Sequence, residues 1–134
     1  MKDVLAYFFK SLTIFMAASF CFIATAQNFP SKPIKIIVPF GPGGVADLTA
    51  RIVAQKMGSK IGQSVVVENR PGAGGVVAGD LVAKADPDGH TLLLMSNGTA
   101  ISATLFQKLP YDTLKDFEAI STLGFFDIGI VVNQ

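Results

Sequence analysis

Twice in succession the sequence passes from a β-branched run, through a glycine-rich break, into a helix, and no other feature restricts the fold as much. Ile34-Lys35-Ile36-Ile37-Val38-Pro39 reads as a buried strand that ends at Pro39. Gly41-Pro42-Gly43-Gly44 then breaks the chain, and Val45 to Ile61 reads as a helix closed by Gly62. Helical spacing places Val45, Leu48, Ile52, Val53 and Met57 on one apolar side, the pattern of a helix face turned to a core. The second cycle is Ser64–Glu68 as a strand, Asn69-Arg70-Pro71-Gly72 as a turn, and Ala73 to Ala85 as a helix of small residues. Asp86-Pro87-Asp88-Gly89 makes a further turn, because proline presets φ and glycine accepts a positive one, and His90–Met95 reads as a third strand. Strand and helix alternating at this interval imply βαβ units, and therefore a parallel sheet with right-handed crossovers.

The remainder is less regular. Ser96-Asn97-Gly98-Thr99 is polar and turn-like, Ala100–Gln107 reads as a short helix, and Leu109-Pro110-Tyr111-Asp112 as a loop. Glu118–Leu123 and Asp127–Val132 read as strands, or as one strand interrupted at Gly124. The amino-terminal segment stands apart from this alternation. Lys2 and Lys10 flank a mixed stretch, an apolar run follows from Ser11 to Ala24, and Ala24-Thr25-Ala26 closes it. Those are the parts of a secretory signal peptide cleaved after Ala26, and the apolar run falls short of the ~20 residues needed to span a bilayer. The one cysteine, Cys21, lies inside that segment, so the processed chain would carry no thiol for catalysis or cross-linking.

The chemistry open to such a chain is narrow. A formal net charge of +1, with acids and bases interspersed, provides no basic stripe for nucleic acid. His90 is the sole histidine and no metal-ligating cluster surrounds it, so neither a metal nor a cofactor is expected. Gly41-Pro42-Gly43-Gly44 lacks the Gly-Lys-Ser/Thr that completes a Walker A loop, and Gly72-Ala73-Gly74-Gly75-Val76-Val77 puts Val77 where a dinucleotide fingerprint needs a small residue. In an open parallel sheet, ligands bind beyond the carboxyl ends of the strands. Three segments fall there: Phe40–Gly44, Asn69–Gly75 and Ser96–Thr99. Glycines let backbone N–H groups approach a ligand, and a helix N-terminus carries about half a positive charge, a combination suited to an oxyanion. A small carboxylate or phosphate fits; so does the plainer account in which the glycines only make tight turns. Asp47 and Arg51 are likewise open to two accounts, a site-shaping acid or an ordinary i,i+4 pair.

Taken together, the motifs have a family look. Pro30–Phe40, Gly43-Gly44 with Asp47 and Ala50-Arg51, Val65–Gly75, Pro87-Asp88-Gly89, Leu109–Asp112 and Lys115-Asp116-Phe117 resemble the Bug family, the substrate-binding receptors of tripartite tricarboxylate transporters. The resemblance implies an α/β fold like that of type II periplasmic binding proteins, a parallel sheet with flanking helices, in which two lobes close on a ligand like a hinge. It also implies a longer chain, so that residues 27–123 would form the first lobe only, and 124–134 the start of the crossover to a second. By the same resemblance Phe40, Gly43, Gly44 and Asp47, together with Ser96, Asn97 and Thr99, would line the cleft, with Ala73, Gly74 and Gly75 beside them. The function it implies is capture of a small carboxylate in the periplasm by a monomeric receptor that serves membrane permease subunits, with no catalysis. Two other readings stay open: an exported α/β enzyme using a nucleotide or phosphate cofactor, and a truncated product without activity of its own.

Overall fold

A computed structural model describes residues 29–125. The chain divides into two compact units, Met1–Ser31 and Lys32–Gln134. The fold below belongs to the second. The signal-peptide segment and the expected strand Asp127–Val132 lie outside the described residues.

Three parallel strands form the sheet: β1 (Ile34–Val38), β2 (Val65–Asn69) and β3 (Thr91–Leu93), in the order β2-β1-β3. The central strand is the most apolar run of the three, and burial explains its position. Ile34, Ile36, Ile37 and Val38 are all buried, on both faces, while Lys35 reaches solvent. The register runs from Ile34 opposite Val65 to Val38 opposite Asn69, and Ile36 faces Leu92 on the other side. Strand β3 is shorter than the sequence suggests, although the Leu94 amide still donates to the Ile37 carbonyl at 2.9 Å.

Helix α1 (Val45–Ile61) has the expected bounds, ending at Gly62 with φ 68° and its amide on the Gly58 carbonyl. Its inward face, however, is not the expected one. Val45 is 73% exposed, and Leu48 and Ile52 also face outward. Ala50 and Ala54 are buried instead, with Ala46 and Met57 packed beside them against Ile36 and Val38. Those four residues form their own helical stripe, and small side chains allow the helix axis to come close to the sheet. Close approach decides the orientation over side-chain size.

The second helix also begins differently. Ala73–Gly75 is a 3₁₀ turn with left-handed backbone, and α2 proper spans Val76–Ala83. Helix α3 (Asn97–Leu105) starts three residues before the expected Ala100, with Ser96 at its N-cap position and the Ser96 amide donating to Thr99 Oγ1 at 3.4 Å. Between β3 and the turn before it, Gly89 takes φ 78° as the Pro-Asp-Gly sequence requires, and Asp88 accepts the His90 amide at 3.0 Å. Beyond α3, Tyr111 is buried against α2 over Gly79, with Phe117 edge-on to its ring at a centroid distance of 5.3 Å. The expected strand Glu118–Leu123 is absent: this segment is irregular and pairs with no strand among the described residues. Among the described residues no helix is long and apolar enough to cross a membrane.

Candidate functional site

Because all three strands run the same way, their carboxyl ends share one edge of the sheet, and the segments that leave them are tied together there. From β1 the chain enters the first glycine loop. Gly43 adopts φ 87° and directs its amide inward, to Asp47 Oδ2 at 2.9 Å. The Asp47 carboxylate, 2% exposed, also accepts Arg51 Nε at 3.0 Å and Asn69 Nδ2 at 2.9 Å. Its role is thus to brace the loop, and it offers no free acceptor to a ligand. The donors left in the loop are the Gly41 and Gly44 amides, next to a first turn of α1 that no side chain caps. The Phe40 ring is partly exposed beside them, while its carbonyl accepts Asn69 Nδ2 at 3.0 Å.

The second loop has a run of left-handed residues: Ala73 at φ 44°, Gly74 at 64° and Gly75 at 95°. Ala73 pays a conformational cost of about 1–2 kcal/mol for a position that usually belongs to glycine. The run is locked from behind by α3. Ser102 Oγ lies 2.8 Å from the Gly98 carbonyl and 3.1 Å from the Gly74 carbonyl, and its single proton serves one of them at a time. Thr99 is fully buried against Gly75, and its Oγ1 accepts the Ser96 amide at 3.4 Å. Of the third group, Asn97 is therefore open to solvent and Ser96 half-buried, whereas Thr99 is a brace like Asp47.

The structure accordingly brings all ten expected site residues to one edge but divides them by role. Phe40, Gly44, Ala73, Gly74 and Asn97 reach the surface, Ser96 lies half-buried among them, and Gly43 contributes its bend and not its amide. Gly75 is buried between Pro39 and Thr99. Asn69, expected only as the first residue of the Asn69–Gly75 segment, and Ser102, which no motif included, are further functional candidates. A strand-terminal Asn two residues before Pro-Gly and a Ser one turn after Thr99 are the local signs of them. An open groove of about 580 Å³ lined by Phe106, Leu109, Tyr111 and Leu114, among others, shares no residue with the three loops. Among the described residues no three His, Cys, Asp or Glu side chains converge on a metal site.

Asp47 is a buried carboxylate at this edge. The Arg51 guanidinium first, then the Gly43 amide and Asn69, lower its pKa from 3.8 to about 2. A carboxyl whose folded pKa is depressed contributes stability that is complete above its unfolded value and lost as pH falls through the folded one. Asp88, held down to about 2 by Lys32 and the His90 amide, acts in the same direction. Thermal stability is therefore expected to fall between about pH 4 and pH 2. Melting curves over this range should show a shallower acid limb for Asp47→Asn than for the parent chain.

Residues 49–134 match the family model described as the tripartite tricarboxylate transporter family receptor. The chain belongs to that receptor family. The match opens at Thr49, just after the first glycine loop, and includes the second loop and α3. Protein BugT of Bordetella pertussis is 40% identical over 133 residues, spanning 92% of this chain and 41% of BugT. A UPF0065 protein of the same organism is 48% identical over 115 residues, covering 84% of this chain and 35% of its own. The chain thus spans little more than a third of the length of these relatives. Among solved structures, MatC from Rhodopseudomonas palustris with bound malate superposes at TM-score 0.63 with 43% identity, over 66% of this chain and 31% of MatC. An R. palustris protein with adipate superposes at 0.57 with 36% identity, over 63% of this chain and 28% of that one. These neighbours share the parallel-sheet fold over the part that is covered.

Proposed function

We propose that this chain forms the first lobe of a periplasmic solute receptor that captures a small carboxylate for a tripartite transporter and passes it to membrane permease subunits. One observation carries the reading. Two glycine loops and the start of a third helix converge at the carboxyl edge of a single parallel sheet, each bent by left-handed backbone or capping and braced from behind by buried side chains. Such an edge offers main-chain donors and helix N-termini to an anion. Malate and adipate in the structural neighbours are both dicarboxylates, which supports the ligand class. In this reading Phe40, Gly44, Ala73, Gly74, Ser96 and Asn97 face the ligand, and Gly43, Asp47, Gly75 and Thr99 hold the loops in shape. Residues 1–26 serve as a cleaved export signal, 27–123 as the lobe, and 124–134 as the start of the crossover. Recognition is by binding alone, with no catalytic step and no cofactor.

The test is a thermal-shift titration of the chain with malate, adipate, citrate and ATP. A carboxylate at 100 times its Kd should stabilise the fold by about 2.7 kcal/mol. Stabilisation by ATP alone would replace the receptor reading with a nucleotide site. A flat response to all four compounds would show that this lobe is not a binding unit by itself.

A further inference from the structure

We infer that Asn69 is a positioning residue for the proposed carboxylate site, setting the shape of the first glycine loop without touching the ligand. The inference rests on the receptor reading for its ligand, but its structural basis is independent of that reading. Asn69 ends β2, opposite Val38 in the register. Its Nδ2 donates twice, to the Phe40 carbonyl at 3.0 Å and to Asp47 Oδ1 at 2.9 Å. Its Oδ1 accepts Arg51 Nη2 at 3.1 Å. Two acceptors on one side and a cation on the other permit only one orientation of the amide.

The effect is to pin both ends of the loop through one side chain. Phe40 opens the loop and is held directly. Gly43 bends it and is held through Asp47, whose other oxygen takes the Gly43 amide. Between these pins lie Gly41 and Pro42, and after them the Gly44 amide and the uncapped first turn of α1. Where those donors point therefore depends on a residue at the end of a different strand, acting beside the Arg51 clamp on Asp47. No aspartate can take over this role, since its carboxylate would face the Phe40 carbonyl and Asp47 with oxygen where both need a donor. A hydrocarbon side chain would leave the Phe40 carbonyl without its donor, while Asp47 Oδ1 and Arg51 Nη2 would keep only each other, at 3.0 Å.

Amide hydrogen exchange at Gly43, read by NMR on the full chain, reports the loop, and malate titration reports the site. Asn69→Ala should accelerate Gly43 exchange and weaken malate binding, each by about tenfold, the scale of one lost hydrogen bond. Asn69→Gln, which keeps the amide on a longer stem, should recover part of both. Ala54→Gly serves as the control: it loosens α1 in the core with no bond to the loop. If Gly43 exchange and malate affinity in Asn69→Ala merely match those of Ala54→Gly, the positioning role is wrong. If Asn69→Ala frees the Gly43 amide but the parent chain takes neither malate nor adipate, the positioning role stands and the carboxylate reading falls. Should Asn69→Ala fail to fold, Asn69→Ser is judged by the same comparison, since its hydroxyl is too short to reach both acceptors.

Discussion

Replacing Gly79 with alanine is expected to destabilise the fold by about 2 kcal/mol, with a fall in Tm on the order of 10 °C. Two effects oppose each other at this site. Alanine in place of glycine inside α2 gains about 1 kcal/mol of helix propensity. Its Cβ, however, would lie 2.5 Å from Cζ and Oη of Tyr111 and 2.7 Å from Cε1. The ring cannot easily yield, being 7% exposed and packed edge-on to Phe117. Overpacking of this kind costs about 3 kcal/mol and outweighs the propensity gain. Because Tyr111 Oη is buried with no hydrogen-bond partner among the described residues, Tyr111→Phe alone should cost little. Paired with Gly79→Ala it should restore part of the loss, by removing one of the clashing atoms. Thermal denaturation of the two single variants and the double variant checks both expectations.

The second large effect is expected at Gly75. Its φ of 95° is strained for any residue with a Cβ, and a branched one suffers most. A Cβ here would come within 3.1 Å of Thr99 Oγ1 and 3.4 Å of Pro39 Cβ, both of them buried. Gly75→Val should therefore cost about 3 kcal/mol in chemical denaturation, the sum of backbone strain and local overpacking. Gly44 makes the contrast. It has φ −80° and nothing within 4 Å of a Cβ, so Gly44→Ala should stay within about 0.5 kcal/mol of the parent. Equal costs at the two positions would mean that the second loop is not clamped by α3 in the way described.

What the residues disclosed and what they withheld follow from the range of the interactions involved. The bounds of β1 and α1 were legible because local signals set them: a β-branched run ending at proline, and Gly62 at the C-cap. The face that α1 turns inward was not, since a stripe of Val45, Leu48 and Ile52 outweighs alanines in any reckoning by hydrophobic size. Only the neighbouring sheet makes a small side chain the better fit. The convergence of the loops was legible in outline, as glycine breaks after successive strands lead to one edge of a parallel sheet. Its bracing was hidden. Asn69 meets Phe40 and Asp47 across 29 and 22 residues of sequence, and Ser102 meets Gly74 across 28. The start of α3 was missed for a different reason: Ser96 and Thr99 are as ordinary in a turn as in a capping box.

The left-handed run at Ala73–Gly75 bears on how such a sequence can drift. A recognition surface built of main-chain groups is inherited with the backbone's path, and what selection guards there is a lack of side chain. In the proposed receptor, substitutions at the exposed Ala73 or Asn97 would alter which guest is accepted while the bend beneath them persists. Two descendants could then keep every glycine and part company over the molecule they carry. Kinship in the loops would record common scaffolding, and the guest would have to be learned from each descendant separately.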